Sequence, residues 1–407
     1  MKKYISALSR HPVFIGAPLF IAVLALAVGT FFMRANASSI GVIAQKIVAD
    51  CSKIEGDHSA CYESEVPSLY PKLSVPSIFD VVRKIRDLDP SYQFCHVLGH
   101  KIGERVVAED PSKWVDAIPL NPPDGLCSNG FIHGVIAGRF SADVLNDATI
   151  QTFMPQFSIA CEPHALWQPS GLDQAMCYHA MGHLFDFITN ANLTKAVSLC
   201  DTIGHSPTGD FTRVCHEGVF MQIFQPLEPD DYQLIAQMPL KPTKNNVRQF
   251  CASYKTSSSV GACLRESWAL FGPKIFDNGG VAAFCSGQPN ADETEACFES
   301  ASAIVGRTSL GDPQKAATTC NSFPSSEQLT CYSFVSEAVL EEDRTQGEDA
   351  IALCKRAPSA IADACIQNLA QKAKFNFQIQ SGELQQFCSA LPTQYQQECD
   401  VSSDNSS

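Results

Sequence analysis

The sequence predicts an all-α protein: an N-terminal transmembrane helix followed by an α-solenoid of disulfide-stapled antiparallel helical hairpins. Three observations lead there: an apolar run near the N-terminus, eighteen cysteines that fall into couples along the chain, and a fixed period among the cysteines after residue 250. With 45% hydrophobic and 18% charged residues, the chain has the composition of core-forming material.

Lys2, Lys3 and Arg10 precede 22 apolar residues from Pro12 to Met33; Arg34 follows, and the first acidic residue is Asp50. Such a run is long enough to cross hydrocarbon. The excess of positive charge before it puts the N-terminus in the cytoplasm and the bulk of the chain outside, in a periplasm or at a cell surface. Residues 1–37 therefore read as a cytoplasmic tip and signal anchor that engages the membrane through 12–33. Cleavage after Ala37 is the alternative, since Ala35-Asn36-Ala37 has the small-x-small form; the length of the run and the position of Arg34 favour the anchor. Without the four basic residues of this segment, 25 Lys+Arg face 43 Asp+Glu, a formal charge of −18. That sign excludes nucleic acid as a natural partner.

Outside the cytoplasm an even cysteine count reads as a disulfide framework. In chain order the couples are Cys51 with Cys61, Cys95 with Cys127, Cys161 with Cys177, Cys200 with Cys215, Cys251 with Cys263, Cys285 with Cys297, Cys320 with Cys331, Cys354 with Cys365, and Cys388 with Cys399. Cys95 with Cys127 follows mainly by elimination. Residues 38–77 hold the first hairpin and a linker.

Over 241–399 the first cysteines of successive couples lie 34 or 35 residues apart and the second ones 34 apart. A period of that size means stacked helical hairpins. Pro289, Pro324, Pro358 and Pro392 each stand four residues after a first cysteine and end the first helix of a hairpin, while the second cysteine opens a longer amphipathic helix. Asp312-Pro313 reads as an N-cap with a first-turn proline. Closing a loop of this size contributes about 3 kcal/mol in the chain-entropy model. The period resembles that of the tetratricopeptide class of α-solenoids over residues 245–399. The family's Trp-Leu-Gly-Tyr and Ala-Phe-Pro positions are not reproduced, so the resemblance implies hairpin stacking and no ligand. Residues 400–407 read as a disordered tail.

Residues 78–240 keep the hairpins, loosen the spacing and hold most of the histidine. Cys95-His96-x-x-Gly99-His100 is echoed by Cys177-x-His179-x-x-Gly182-His183, and the segment from Cys127 through Gly130 and His133 to Gly134 is echoed by Cys215-His216-Glu217-Gly218 through Met221. The offsets of 82 and 88 residues suggest a diverged duplication, with modules near 78–155 and 156–240. Both H-x-x-x-H pairs put two imidazoles on one helical face, where they can ligate one ion. His96, His100, His133, His179, His183 and His216, with Glu217 as a further ligand or general base, form the candidate metal set; neutral imidazole suits Zn, Cu, Fe or Ni. Glycines 99, 130, 134, 182 and 218 interrupt helical stretches at a cost of about 1 kcal/mol each relative to alanine, which asks for close approach either of a ligand or of a second helix. His58, His164 and His205 fall in inferred turns and are expected to be solvated.

No C-x-x-C-H occurs, which excludes covalent c-type haem; non-covalent haem between two histidines stays open. No H-E-x-x-H, G-x-S-x-G, phosphate loop or dinucleotide fingerprint is present, and the pairing leaves no cysteine nucleophile, so catalytic residues stay unassigned. Architecture points to a membrane-anchored interaction or scaffold protein with a protein partner on the solenoid surface. The histidines of residues 95–221 point to a metal- or haem-binding protein or a metal-dependent enzyme.

Overall fold

In the computed structural model, residues 39–140, 144–276, 279–379 and 381–399 are described; the expected membrane span at 12–33 and the tail at 400–407 lie outside them. Among the described residues no helix is long and apolar enough to cross a membrane.

The described chain is helical apart from one short hairpin, β1 (His205–Ser206) with β2 (Gly209–Asp210). It begins with α1 (39–51), α2 (Ser59–Glu65) and α3 (Val75–Leu88). The first His-rich module contributes α4 (His96–Val107), the short α5 (Trp114–Ala117), α6 (Gly130–Phe140) and α7 (Asp147–Ala160). The second contributes α8 (Gly171–Ile188), α9 (Leu193–Ile203), α10 (Thr212–Phe224) and α11 (Pro229–Ala236). Five hairpins follow: α12 (Val247–Cys251) with α13 (Ser257–Glu266), α14 (Gly280–Cys285) with α15 (Ala291–Thr308), α16 (Pro313–Asn321) with α17 (Gln328–Glu342), α18 (Gly347–Cys354) with α19 (Ser359–Asn376), and α20 (Gly382–Ala390) with α21 (Thr393–Cys399).

All nine expected cysteine couples are disulfides, with Cα atoms 4.7–5.6 Å apart. Cys51 is joined to Cys61, which staples α1 to α2 as the first hairpin. Cys95 is joined to Cys127, the couple reached by elimination, and Cys161 to Cys177 and Cys200 to Cys215 in the second module. In the regular array Cys251 is joined to Cys263, Cys285 to Cys297, Cys320 to Cys331, Cys354 to Cys365 and Cys388 to Cys399. So many bridges point to an oxidising, extracytoplasmic environment.

The local signals of the array also hold. Asp312 accepts the Lys315 N–H as N-cap ahead of Pro313, and Pro358 is the N-cap residue of α19. One expectation needs correction, because the second cysteine does not always open its helix. Cys61 and Cys331 do fall in the first turn of α2 and α17, whereas Cys297 and Cys365 lie in the second turn of α15 and α19, and Cys399 is the last residue of α21. The second helix begins at a different distance from the first cysteine in each hairpin, so the residue that faces the end of the first helix falls at a different depth in the second.

Consecutive long helices stack in the order α2, α4, α6, α8, α10, α13, α15, α17, α19, α21. Buried apolar residues form two cores, one from Ile40 to Cys263 and one from Val281 to Cys399. The expected boundary at 241 therefore does not divide the core: α13 packs on α10, and the first regular hairpin closes the His-rich half.

The stack also folds back on itself, which nearest-neighbour packing does not require. At the end of α17, Glu342 accepts a hydrogen bond from Ser128 at 2.5 Å, and Asp343 pairs with Arg86 at 3.3 Å. The buried Arg344 guanidinium donates to the Pro123 carbonyl at 2.7 Å, to Asp173 at 2.7 Å and to Ser170 at 3.2 Å. Cys127, Ser128 and Asn129, which receive this return, all have positive φ, a left-handed run that non-glycine residues enter only when their surroundings hold them there.

Candidate metal centre

The site is built by two helix crossings. A Cβ added to Gly99 would stand 3.0 Å from the backbone of Gly130, and one added to Gly134 would stand 2.0 Å from the His100 carbonyl oxygen. In the second module a Cβ on Gly182 would meet the Cys215 carbonyl at 2.1 Å, and one on Gly218 the His179 carbonyl at 2.0 Å. The glycines thus serve backbone-to-backbone contact of α4 with α6 and of α8 with α10. That closeness lifts the third donor of each module, on α6 or α10, to the level of the two histidines on its partner helix.

Five imidazoles converge as a result. The His96 and His100 rings lie 4.6 Å apart between centroids, and His179 and His183 4.9 Å. His133 stands between the pairs, 4.9 Å from His96, 5.2 Å from His100, 5.7 Å from His179 and 5.4 Å from His183. One ligand nitrogen from each of His96, His100 and His133 falls within 4.8 Å of the other two.

The partners of these rings fix their tautomers. His96 Nδ1 contacts the Cys127 carbonyl at 3.3 Å, and His100 Nδ1 contacts Glu228 Oε1 at 2.9 Å; both partners only accept, so each Nδ1 carries the proton. The two Nε2 atoms, 3.0 Å apart, are then lone pairs facing each other unless a cation lies between them. His133 is 5% exposed, and its Nε2 is buried with no hydrogen-bond partner. One proton can bridge His96 to His100. It leaves His133 unsatisfied, whereas a metal ion serves all three.

Electrostatics favour the ligand form. Burial, helped by the neighbouring imidazoles, holds His96 and His133 well below the ordinary histidine value; burial does the same for His179 and takes His183 down to about 4. Burial acts to raise the Glu228 carboxyl, but His100 and Lys101 bring it to about 2. Glu228 is thus an anionic outer partner behind His100, the arrangement that orients ligating histidines and raises their basicity. His96, His100, His133 and His183 line a cavity together with the apolar side chains of Phe140, Leu184 and Phe187 and the carboxylates of Glu104, Glu228 and Asp231.

Two candidates lie outside this cluster's bonding. His216 is fully buried, but its nitrogens engage Ser258 at 3.3 Å and Asp201 at 3.0 Å. Glu217 accepts from Arg265 at 2.8 Å in a network completed by Glu293. Both are tied into packing between α9, α10 and α13. Of the histidines expected in solvated turns, His205 is exposed, whereas His58 is half-buried against Asp89 at 3.0 Å and His164 is half-buried with Nε2 enclosed. Glu228, Gln222 and Met221 were not among the candidates. Glu228 gives no local signal, but Met221 occupies the place in the second echo that His133 holds in the first.

Comparison with protein-family models, with curated proteins and with solved structures gave no match.

Proposed function

We propose that this is an extracytoplasmic metal-binding protein in which His96, His100 and His133 hold one late first-row transition ion. The observation that carries the reading is the meeting of three imidazoles, His133 buried and His96 and His100 half-buried, with two Nε2 lone pairs 3.0 Å apart and the third Nε2 without a partner. Three nitrogens leave coordination positions open toward the cavity, as catalytic and metal-handling sites do. A bare ion suits the donors better than haem, because His96 and His100 project from one helical face and cannot approach a porphyrin from opposite sides.

Metal analysis of the purified full-length chain tests this. One equivalent of a transition metal, lost when His96→Ala and His100→Ala are combined, is the expected result. A chain that stays metal-free after exposure to Zn(II), Ni(II) and Cu(II), with wild type and variant alike, overturns it.

In the same reading the stacked hairpins form an α-solenoid tethered by a signal anchor at 12–33, and the outer surface of residues 241–399 docks a protein partner. Protease digestion of intact cells checks the topology: residues after 37 should be accessible from outside the cytoplasm and residues 1–11 protected.

A further inference from the structure

The second module repeats the geometry of the first with one change of donor. Gly218 meets the His179 carbonyl as Gly130 meets that of His96, although the bridges differ: Cys95–Cys127 ties the start of α4 to the segment before α6, whereas Cys215 of α10 is bonded to Cys200 of α9. Three residues beyond these glycines stand His133 in α6 and Met221 in α10. Met221 Sδ lies 3.3 Å from His179 Nε2.

The tautomer of His183 is again fixed from outside. His183 Nδ1 bonds the side-chain oxygen of Gln222, whose amide nitrogen is turned away to Asp231. A His183 proton therefore sits on Nδ1. Its Nε2 is left as a lone pair, and Nε2 of His179 faces a thioether sulfur. A thioether is a weak acceptor and no donor, so sulfur is a poor hydrogen-bond partner for this imidazole and a good neighbour for a soft cation. Two imidazoles and a thioether make a neutral, soft donor set, and such sets select monovalent copper over the harder divalent ions that three imidazoles accept.

We propose that His179, His183 and Met221 form a second site that binds Cu(I), separated from the His96/His100 pair by His133. This goes beyond the ion proposed above and does not require that site to be filled.

The test is Cu(I) titration of the purified full-length chain against a competing chelator, with ascorbate present to hold copper reduced, followed by X-ray absorption at the copper edge. A tightly bound copper with a sulfur scatterer is expected. Met221→Leu keeps the side-chain volume and removes the donor; it should abolish the sulfur signal and weaken Cu(I) binding at least tenfold while leaving the thermal midpoint of the metal-free chain unchanged. The His96→Ala/His100→Ala variant should lose the divalent ion and keep the copper–sulfur signal. Copper bound through nitrogen alone, no Cu(I) binding, or equal affinity in Met221→Leu overturns the proposal. Each of those results leaves the His96/His100/His133 site to stand or fall on its own metal analysis.

Discussion

The two His-rich modules share a helix crossing and differ in chemistry. In both, glycine lets the helices cross at backbone contact, and two imidazoles one helical turn apart face a third side chain on the partner helix. In the first module that third group is His133, and the outer partner of the i+4 histidine is the carboxylate Glu228. In the second it is Met221, and the outer partner is the amide of Gln222. Helix crossing sets where donors can stand, whereas single side chains set which ion they suit. On the two proposals above, one scaffold would carry two metal preferences side by side.

Four measurements can break or sharpen this comparison. The largest effect is expected at Arg344, which ties the modules together through Pro123 of the first and Asp173 of the second. Arg344→Ala leaves the Asp173 carboxylate buried without its partner and should cost about 3–5 kcal/mol in urea unfolding. A small loss would mean that the returning array is not what holds the modules together.

Next come the crossings themselves. Gly130→Ala and Gly218→Ala each drive a methyl into a histidine carbonyl, at 2.3 and 2.0 Å, and each should destabilise by about 3 kcal/mol as overpacked backbone contacts do. Similar losses in circular-dichroism melts support equivalence; tolerance at one site alone would end it.

Metal should stabilise by about 2.7 kcal/mol when its free concentration is a hundredfold above Kd. Chelation of the divalent ion should therefore lower the thermal midpoint of the wild type and leave His133→Ala, which lacks one of the three ligands of the first site, nearly unmoved.

The smallest effect concerns Glu342, where the array meets the first module beside Arg86, Asp343 and Tyr92. Burial outweighs Arg86 and pushes its carboxyl up to about 7, above the ordinary 4.5. A folded value above the unfolded one means that its stabilising share is complete below about pH 4.5 and is lost as pH rises through 7. Glu342→Gln should flatten that decline and be more stable than wild type at pH 8 by about 1–2 kcal/mol. Parallel stability–pH curves for the two proteins would contradict this.

Much of the fold is legible in the chain because its determinants are local. Proline four residues past a cysteine, the Asp312 cap and the fixed cysteine spacing each act within one hairpin, and they specify where helices stop and which sulfurs meet. How far into its helix the second cysteine falls is less legible: Cys331 sits in a first turn and Cys365 in a second, because the start of each long helix depends on the turn before it. Part of the site is legible for the same local reason: residues four apart on a helix share a face whatever surrounds it, which pairs His96 with His100 and His179 with His183. The echo of His133 by Met221 is equally a matter of counting, although its meaning depends on the glycine crossings. His216 shows the limit. It follows its cysteine as closely as His96 follows Cys95, yet it points across to Asp201 and Ser258.

By itself the sequence determined the all-helical class, the nine bridges and the two facing histidine pairs, because these depend on residues close enough along the chain to constrain one another. Tertiary structure alone decided that His133 stands between the pairs, that Glu228 and Gln222 orient them, and that Glu342, Asp343 and Arg344 return to the first module. Those contacts join residues up to 257 positions apart, and their geometry depends on how every intervening helix crosses its neighbour.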